Sequence, residues 1–256
     1  MDINILWTGG LDSTFRVIEL LTSLPEGYKI QPYYILDEKR KSFSHEIKAM
    51  NSITEIANKK SENRVRIRPL IIIKKSEIPS DPQITEAYNV LMDKYNLGGQ
   101  YDWLARFAKY KNINIELGLE YSPRSKAYNT IKSEGELIEV SPSDGYTVYS
   151  IDKSTSTREL NTVFGRFMLS PRLFNITKQK EVEILRSLGY NEIIPLTWFC
   201  HRPICGYPCG QCNPCKDALN EGMAWRVPFI GRVFGILRLP FDVVQKVISK
   251  IHDKVS

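Results

Sequence analysis

Apolar and polar positions fall into short blocks along the chain, and the period within each block predicts its element. Residues 3–7 (INILW) form a short apolar run bounded by glycine, the pattern of a buried strand. Residues 13–24 carry apolar side chains at Phe15, Val17, Ile18, Leu20, Leu21 and Leu24 and are closed by Pro25, which predicts a helix. Residues 30–36 read as a second strand, 43–57 as an amphipathic helix, and 65–73 as a third strand ending in the apolar run 70–73. The segment 101–110 and a strand at 113–117 continue the alternation. Residues 122–152 break it with Pro123, Gly135, Pro142 and Gly145, which predicts a loop or hairpin insertion. Helical spacing returns at 158–169 and 178–188. Strand alternating with helix predicts an α/β fold, a parallel sheet with helices on both faces.

Composition narrows the class. The chain has 256 residues, enough for one full α/β core and an appended module. We expect an α/β domain over 1–195, a cysteine-rich module over 196–225 and an amphipathic extension over 226–256. No apolar run approaches the roughly 18 residues of a membrane span, and the N-terminus lacks the pattern of a signal peptide, so a cytoplasmic protein is expected. A net charge of +6 suits a nucleotide or polyanion partner without requiring one.

The first strand–helix junction carries the first candidate chemistry. It reads Trp7-Thr8-Gly9-Gly10-Leu11-Asp12-Ser13-Thr14. A parallel strand feeding a helix aims unpaired N–H groups and the positive end of the helix dipole at the sheet edge, which is a seat for phosphate. Gly9 and Gly10 permit close backbone approach and positive φ. Thr8, Ser13 and Thr14 add hydroxyls, and Asp12 can cap the helix or help hold Mg²⁺. A ligand-free tight turn explains the glycines equally well. The lysine of a Walker A loop and the G-x-G-x-x-G dinucleotide pattern are both missing.

All five cysteines lie in TWFCHRPICGYPCGQCNPC. Clustered thiols in a cytosolic chain point to a metal before a disulfide. Cys209, Cys212 and Cys215 follow a C-x-x-C-x-x-C spacing, and Cys200 or Cys205 completes the four ligands that tetrahedral Zn²⁺ requires. A redox C-x-x-C pair and an iron–sulfur cluster use similar spacing.

Residues 8–13 resemble the SGGxDS signature of the PP-loop ATP pyrophosphatases, with Thr8 in place of serine. Together with Thr197-Trp198-x-Cys200 and Cys209-Gly210-x-Cys212-x-x-Cys215, the chain resembles the 7-cyano-7-deazaguanine synthase (QueC) family. Ile176-Thr177-Lys178, Glu183-Ile184 and Leu188-Gly189 are similar to a further family segment, and Asp37, His45 and Glu46 to the stretch after its second strand. The resemblance implies a Rossmann-like fold of the adenine nucleotide alpha hydrolase type with a C-terminal zinc module. It implies ATP, Mg²⁺ and Zn²⁺ as cofactors, and ligands Cys200, Cys209, Cys212 and Cys215, leaving Cys205 spare and His201 a lesser competitor. It implies catalytic roles for Asp12, Ser13 and Lys178, and an ATP site of Trp7, Thr8, Gly9, Gly10, Leu11, Asp12, Ser13, Thr14 and Leu36. The implied reaction adenylates 7-carboxy-7-deazaguanine and passes the acyl group to ammonia, giving an amide and then a nitrile.

The middle of the chain departs from the family. Its P-x-R-N and D-C-R-P-E-F-like segments are replaced by LGGQYDWLARFAKY and GLEYSPRSKAY, where Gln100, Arg106 and Arg124 are the candidate substrate contacts, with solvated surface arginines as the simpler reading. Lys74 and Lys75 follow the third strand and are candidate phosphate contacts. Beyond the zinc module, Val243, Val244, Val247, Ile248, Ile251 and Val255 share one helical face, which suits packing on the chain's own core, then a protein partner or homodimer contact, then a membrane surface. Since divergent relatives occur in antiviral defence clusters, a protein amine is an alternative acceptor. A tRNA-thiolating enzyme using Cys205 and a non-catalytic assembly protein are the readings from other classes.

Overall fold

β1 (Asp2–Leu6) is an apolar strand at the middle of a mostly parallel sheet, with β2 (Lys29–Leu36) on one side and β5 (Ile115–Leu117) on the other. In this computed structural model residues 2–61, 64–119 and 125–237 are described. Contacts divide the chain into Met1–Lys39 with Phe43–Trp198, and Arg40–Ser42 with Phe199–Ser256.

The larger unit holds the sheet. Among the described residues its order is β3 (Arg66–Ile67), β2, β1, β5, β8 (Phe167–Leu169), β7 (Tyr146–Ile151), β6 (Leu137–Ser143), with β4 (Ile71–Lys74) also paired to β2. The third strand predicted over 65–73 is in fact two, β3 (Arg66–Ile67) and β4, each pairing in turn with β2. Pro69 lies in the gap, and a residue without an N–H cannot continue the ladder. The helix predicted over 158–169 stops as α6 (Arg158–Phe164) at Gly165. The chain then re-enters the sheet as β8 (Phe167–Leu169), parallel to β5. The expected insertion over 122–152 contains a helix, α5 (Lys126–Glu134), and a hairpin of β6 (Leu137–Ser143) and β7 (Tyr146–Ile151). That hairpin is part of the sheet: β7 pairs antiparallel with β8, so the sheet is mixed rather than wholly parallel.

Helices flank the sheet: α1 (Leu11–Ser23), α2 (Phe43–Lys60), α3 (Pro82–Tyr95), α4 (Gln100–Tyr110) and α7 (Lys178–Ser187) in addition to α5 and α6. The sequence pattern does not predict α3. Its apolar stripe is narrow, with Ile84, Ala87 and Leu91 buried, yet Asp81 caps it by accepting from the Ile84 N–H and Pro82 opens the first turn. These helices and β8 enclose an aromatic core containing Phe107, Phe164, Phe167 and Phe174.

A buried charged network crosses the sheet centre. Arg16 of α1 grips Glu116 of β5 with two bonds, 2.5 and 2.9 Å, and also reaches Glu19 at 2.7 Å. Burial opposes the guanidinium charge, but the two carboxylates outweigh it and hold the Arg16 pKa above its ordinary value.

The topology positions a crevice. From β1 the chain first winds outward through β2, then crosses to the opposite side of β1 to place β5. Connections leave the carboxyl ends of β1 and β5 in opposite directions, and such a switch point is where open α/β sheets bind ligands. The smaller unit contributes α8 (Asn213–Asn220) and a helix over 229–237. The predicted apolar face of residues 243–255 lies outside the described residues, as does Arg124. No helix among the described residues is long and apolar enough to cross a membrane.

Candidate functional site

The glycine loop occupies that crevice. β1 ends at Leu6, and Trp7 continues the pairing with β2 through its N–H to the Tyr33 carbonyl at 2.9 Å. Gly9 has φ +69°, and a Cβ there would lie 3.0 Å from the Glu46 carbonyl and 3.3 Å from Ala49 and Met50 of α2. Glycine is therefore required twice, by conformation and by the closeness of α2. Gly10 is the N-cap of α1 and offers no side-chain cap, so the first-turn N–H groups keep their capacity to bind an anion.

Side chains complete the loop. The Thr8 and Ser13 hydroxyl oxygens are 3.3 Å apart, and the Thr8 N–H donates to Ser13 Oγ at 3.4 Å. Lys178, the first residue of α7, lies 3.7 Å from Asp12 Oδ2. Asp12 Oδ1 is buried and accepts no hydrogen bond among the described residues. A buried carboxylate oxygen without a donor is costly, and a bound cation would satisfy it. The three residues predicted to be catalytic, Asp12, Ser13 and Lys178, are thus brought together across more than half the chain.

Other predicted residues take supporting positions. Trp7 is fully buried, and its indole N–H donates to Thr14 Oγ1 at 3.0 Å; Thr14 is fully buried too, so its hydroxyl braces the loop from behind. Leu11 is buried in the first turn of α1, and Leu36 ends β2 on the same sheet edge. Lys74 and Lys75 pair with Glu38 at 3.7 Å and Asp37 at 3.4 Å. Arg106 is bonded to Asp102 at 2.7 Å and to the Pro79 carbonyl at 3.0 Å, while Gln100 is exposed at the start of α4. Among the described residues neither makes a hydrogen bond or ion pair with the loop.

Two features of the crevice escaped the sequence reading. A Cβ on Gly118, just past β5, would sit 3.1–3.2 Å from the Ser13 backbone and Cβ, so β5 and α1 meet there at the closest approach a side-chain-free residue allows. The Trp198 N–H donates to the Gly9 carbonyl at 2.7 Å, and its ring stacks on His45 of α2 with centroids 4.3 Å apart. The Thr197-Trp198 pair was visible in the sequence as part of the cysteine motif, but its bond to the loop was not.

In the smaller unit, Cys200, Cys209, Cys212 and Cys215 place their sulfurs within 4.8 Å of one another, a group that could hold a metal ion such as zinc. Cys212 Sγ is 3.4 Å from Cys215 Sγ and 3.9 Å from Cys200 Sγ. Tetrahedral Zn–S bonds of about 2.3 Å would set sulfurs about 3.8 Å apart. Backbone N–H groups of Cys209 and Cys212 point at Cys200 Sγ and Cys209 Sγ, at 3.2 and 3.4 Å, as donors to thiolate. Hydrogen bonding with Cys212 pushes the Cys200 thiol up to about 12, while bonds from Cys200 and Cys215 hold the Cys212 thiol below its ordinary value. Cys205 is exposed, at φ +48°, in a separate turn closed by the Ile204–Tyr207 bridge. No protein-family model matches the chain, and no curated protein is significantly similar to it.

Proposed function

We propose that the chain is an ATP-dependent carbon–nitrogen ligase of the 7-cyano-7-deazaguanine synthase kind, built on a PP-loop domain with a structural Cys₄ zinc module. The observation that carries this reading is the uncapped glycine loop at the switch point, with Asp12 and Lys178 side by side at its rim. The first-turn N–H groups and the Thr8 and Ser13 hydroxyls would seat the β- and γ-phosphates. An oxygen of the acid attacks the α-phosphorus, the α–β bridge breaks, and pyrophosphate keeps the electron pair. Lys178 sets positive charge beside that leaving group. Asp12, through its unpartnered Oδ1, is the residue suited to hold Mg²⁺, which would offset phosphate charge. A nitrogen nucleophile then displaces AMP from the acyl adenylate.

Incubation with ATP, Mg²⁺ and 7-carboxy-7-deazaguanine, with and without ammonium, tests the proposal by mass spectrometry. AMP with the free nitrile is the expected result. AMP without it would identify another acceptor, such as a protein amine. No AMP in either tube would overturn the assignment for this acid. Iron with acid-labile sulfide in the purified protein would instead favour tRNA thiolation.

A further inference from the structure

A second concave site lies at the opposite end of the strands. It is a cavity of about 330 Å³ where the parallel strands begin, since Asn114 and Arg166 in its wall immediately precede β5 and β8. The glycine loop, by contrast, follows the end of β1. Three helices, α3, α4 and α6, contribute its other walls. The volume falls at the lower end of small-molecule sites, about 300–1,000 Å³.

Its lining is divided by chemistry. Ile84, Ala105 and Val163 form its apolar floor, each no more than 4% exposed. Lys109, Lys153 and Arg166 supply cations, and no carboxylate lines the cavity. Lys109 is already paired with Asp81 at 2.5 Å. Lys153 and Arg166 make no ion pair among the described residues, and the Arg166 guanidinium donates to the neutral Asn112 Oδ1 at 3.1 Å. Lys153 and Arg166 thus bring two positive charges to a cavity that no carboxylate lines. A ligand with a negative head would supply the missing counter-charge.

We propose that this cavity binds a small organic anion, its apolar body on Ile84, Ala105 and Val163 and its phosphate or carboxylate head on Arg166 and Lys153. The site is independent of the adenylation chemistry and stands whether or not that chemistry holds. A guanidinium takes either head group through two N–H bonds. An occupant would bridge α3, α4 and α6 to the starts of β5 and β8.

Isothermal titration with phenyl phosphate, benzoate and inorganic phosphate tests the proposal. The titrations are run with saturating pyrophosphate and Mg²⁺, so that anion seats at the glycine loop are filled. Phenyl phosphate or benzoate is expected to bind saturably, and the tighter of the two names the head group. Inorganic phosphate is expected to bind about tenfold or more weakly, because it buries no apolar surface. Lys153→Glu and Arg166→Glu should each weaken the aromatic anion about tenfold or more, the worth of one charge-assisted hydrogen bond. Lys153→Gln and Arg166→Gln, which introduce no repulsion, should give intermediate affinities at unchanged melting temperature. Absence of saturable binding both with and without pyrophosphate, or binding unchanged in both charge reversals, would each overturn it.

Discussion

Two adjacent glycines in the loop do different work, and single substitutions separate them. Gly9→Ala meets the Glu46 carbonyl at 3.0 Å and forces a non-glycine residue to φ +69°. Left-handed backbone alone costs about 1–3 kcal/mol, and the contact with α2 adds to it. Gly10 has φ −72°, and its nearest Cβ neighbour would be Thr8 Oγ1 at 3.4 Å, an ordinary contact. Urea unfolding is therefore expected to show a large loss for Gly9→Ala and a change within about 1 kcal/mol for Gly10→Ala. Pyrophosphate titration should nonetheless weaken for both, because the Gly10 methyl would stand at the mouth of the anion seat. Equal stability of the two variants would show that the Gly9 conformation is not what holds the loop. The residue scale was also where the sequence was most legible. Thr8, Gly9, Gly10, Asp12 and Ser13 could be picked out because small and polar residues interrupt an apolar pattern. Thr14 shows the limit: a hydroxyl in the same run looks identical in the sequence, yet Trp7 claims it from inside the core.

At the scale of elements, α3 depends on its cap. Asp81 accepts the Ile84 N–H at 3.2 Å and pairs with Lys109. The Lys109 hydrogen bond, with help from the Ile84 and Gln83 N–H groups, holds its carboxyl below the ordinary value despite partial burial. A carboxyl lowered on folding adds stability above its unfolded pKa, about 3.9, and that stability is lost as pH falls through the lower folded value. Wild type and Asp81→Asn should therefore differ at neutral pH and converge on acidification below about pH 4. Asparagine is a competent cap, and Lys109 is half exposed, so the neutral-pH gap should stay under about 1 kcal/mol. Asp81→Ala should cost about 1 kcal/mol more, through the lost cap. Urea midpoints at several pH values measure both, and a gap that stays constant with pH would assign the Asp81 effect to the cap alone. The helix was missed in the sequence for the same reason that it needs this cap: its apolar stripe is short, and Asp-Pro reads as readily as a turn. The β3–β4 break and β8 were misread because a continuous apolar run looks alike in one strand, two strands or a helix. Pairing with β2 and β5 decided those cases, and pairing is not local information. Arg16 and Glu116 were invisible as partners because 100 residues separate them.

For the molecule as a whole, the two compact units rest on different forces. The sheet unit has an extensive aromatic core. Among described residues from 199 onward, those buried and apolar are Cys200, Cys209, Cys215, Ala218, Met223 and Val227, and half of these are thiols at the cluster. So few apolar groups rarely hold a fold unaided. Four thiols within 4.8 Å also cannot all ionise without a cation among them. Metal binding should therefore supply much of this unit's folding free energy. Elemental analysis is expected to find one zinc per chain, lost in Cys215→Ser and kept in Cys205→Ser. Chelation should abolish hydrogen-exchange protection of the Cys209 and Cys212 N–H groups, with β1 amides as the internal reference. The helix over 229–237 provides an independent check. Gly231 and Gly235 set its backbone directly on the Pro208 and Cys209 carbonyls, where added Cβ atoms would overlap those oxygens. Gly235→Ala must push the helix or the Cys209 turn aside, so zinc should leave this variant at lower chelator concentration than wild type. Full metal retention in Cys215→Ser would remove Cys215 from the ligand set, and protection at Cys209 that survives chelation would mean that packing against this helix holds the turn without a metal.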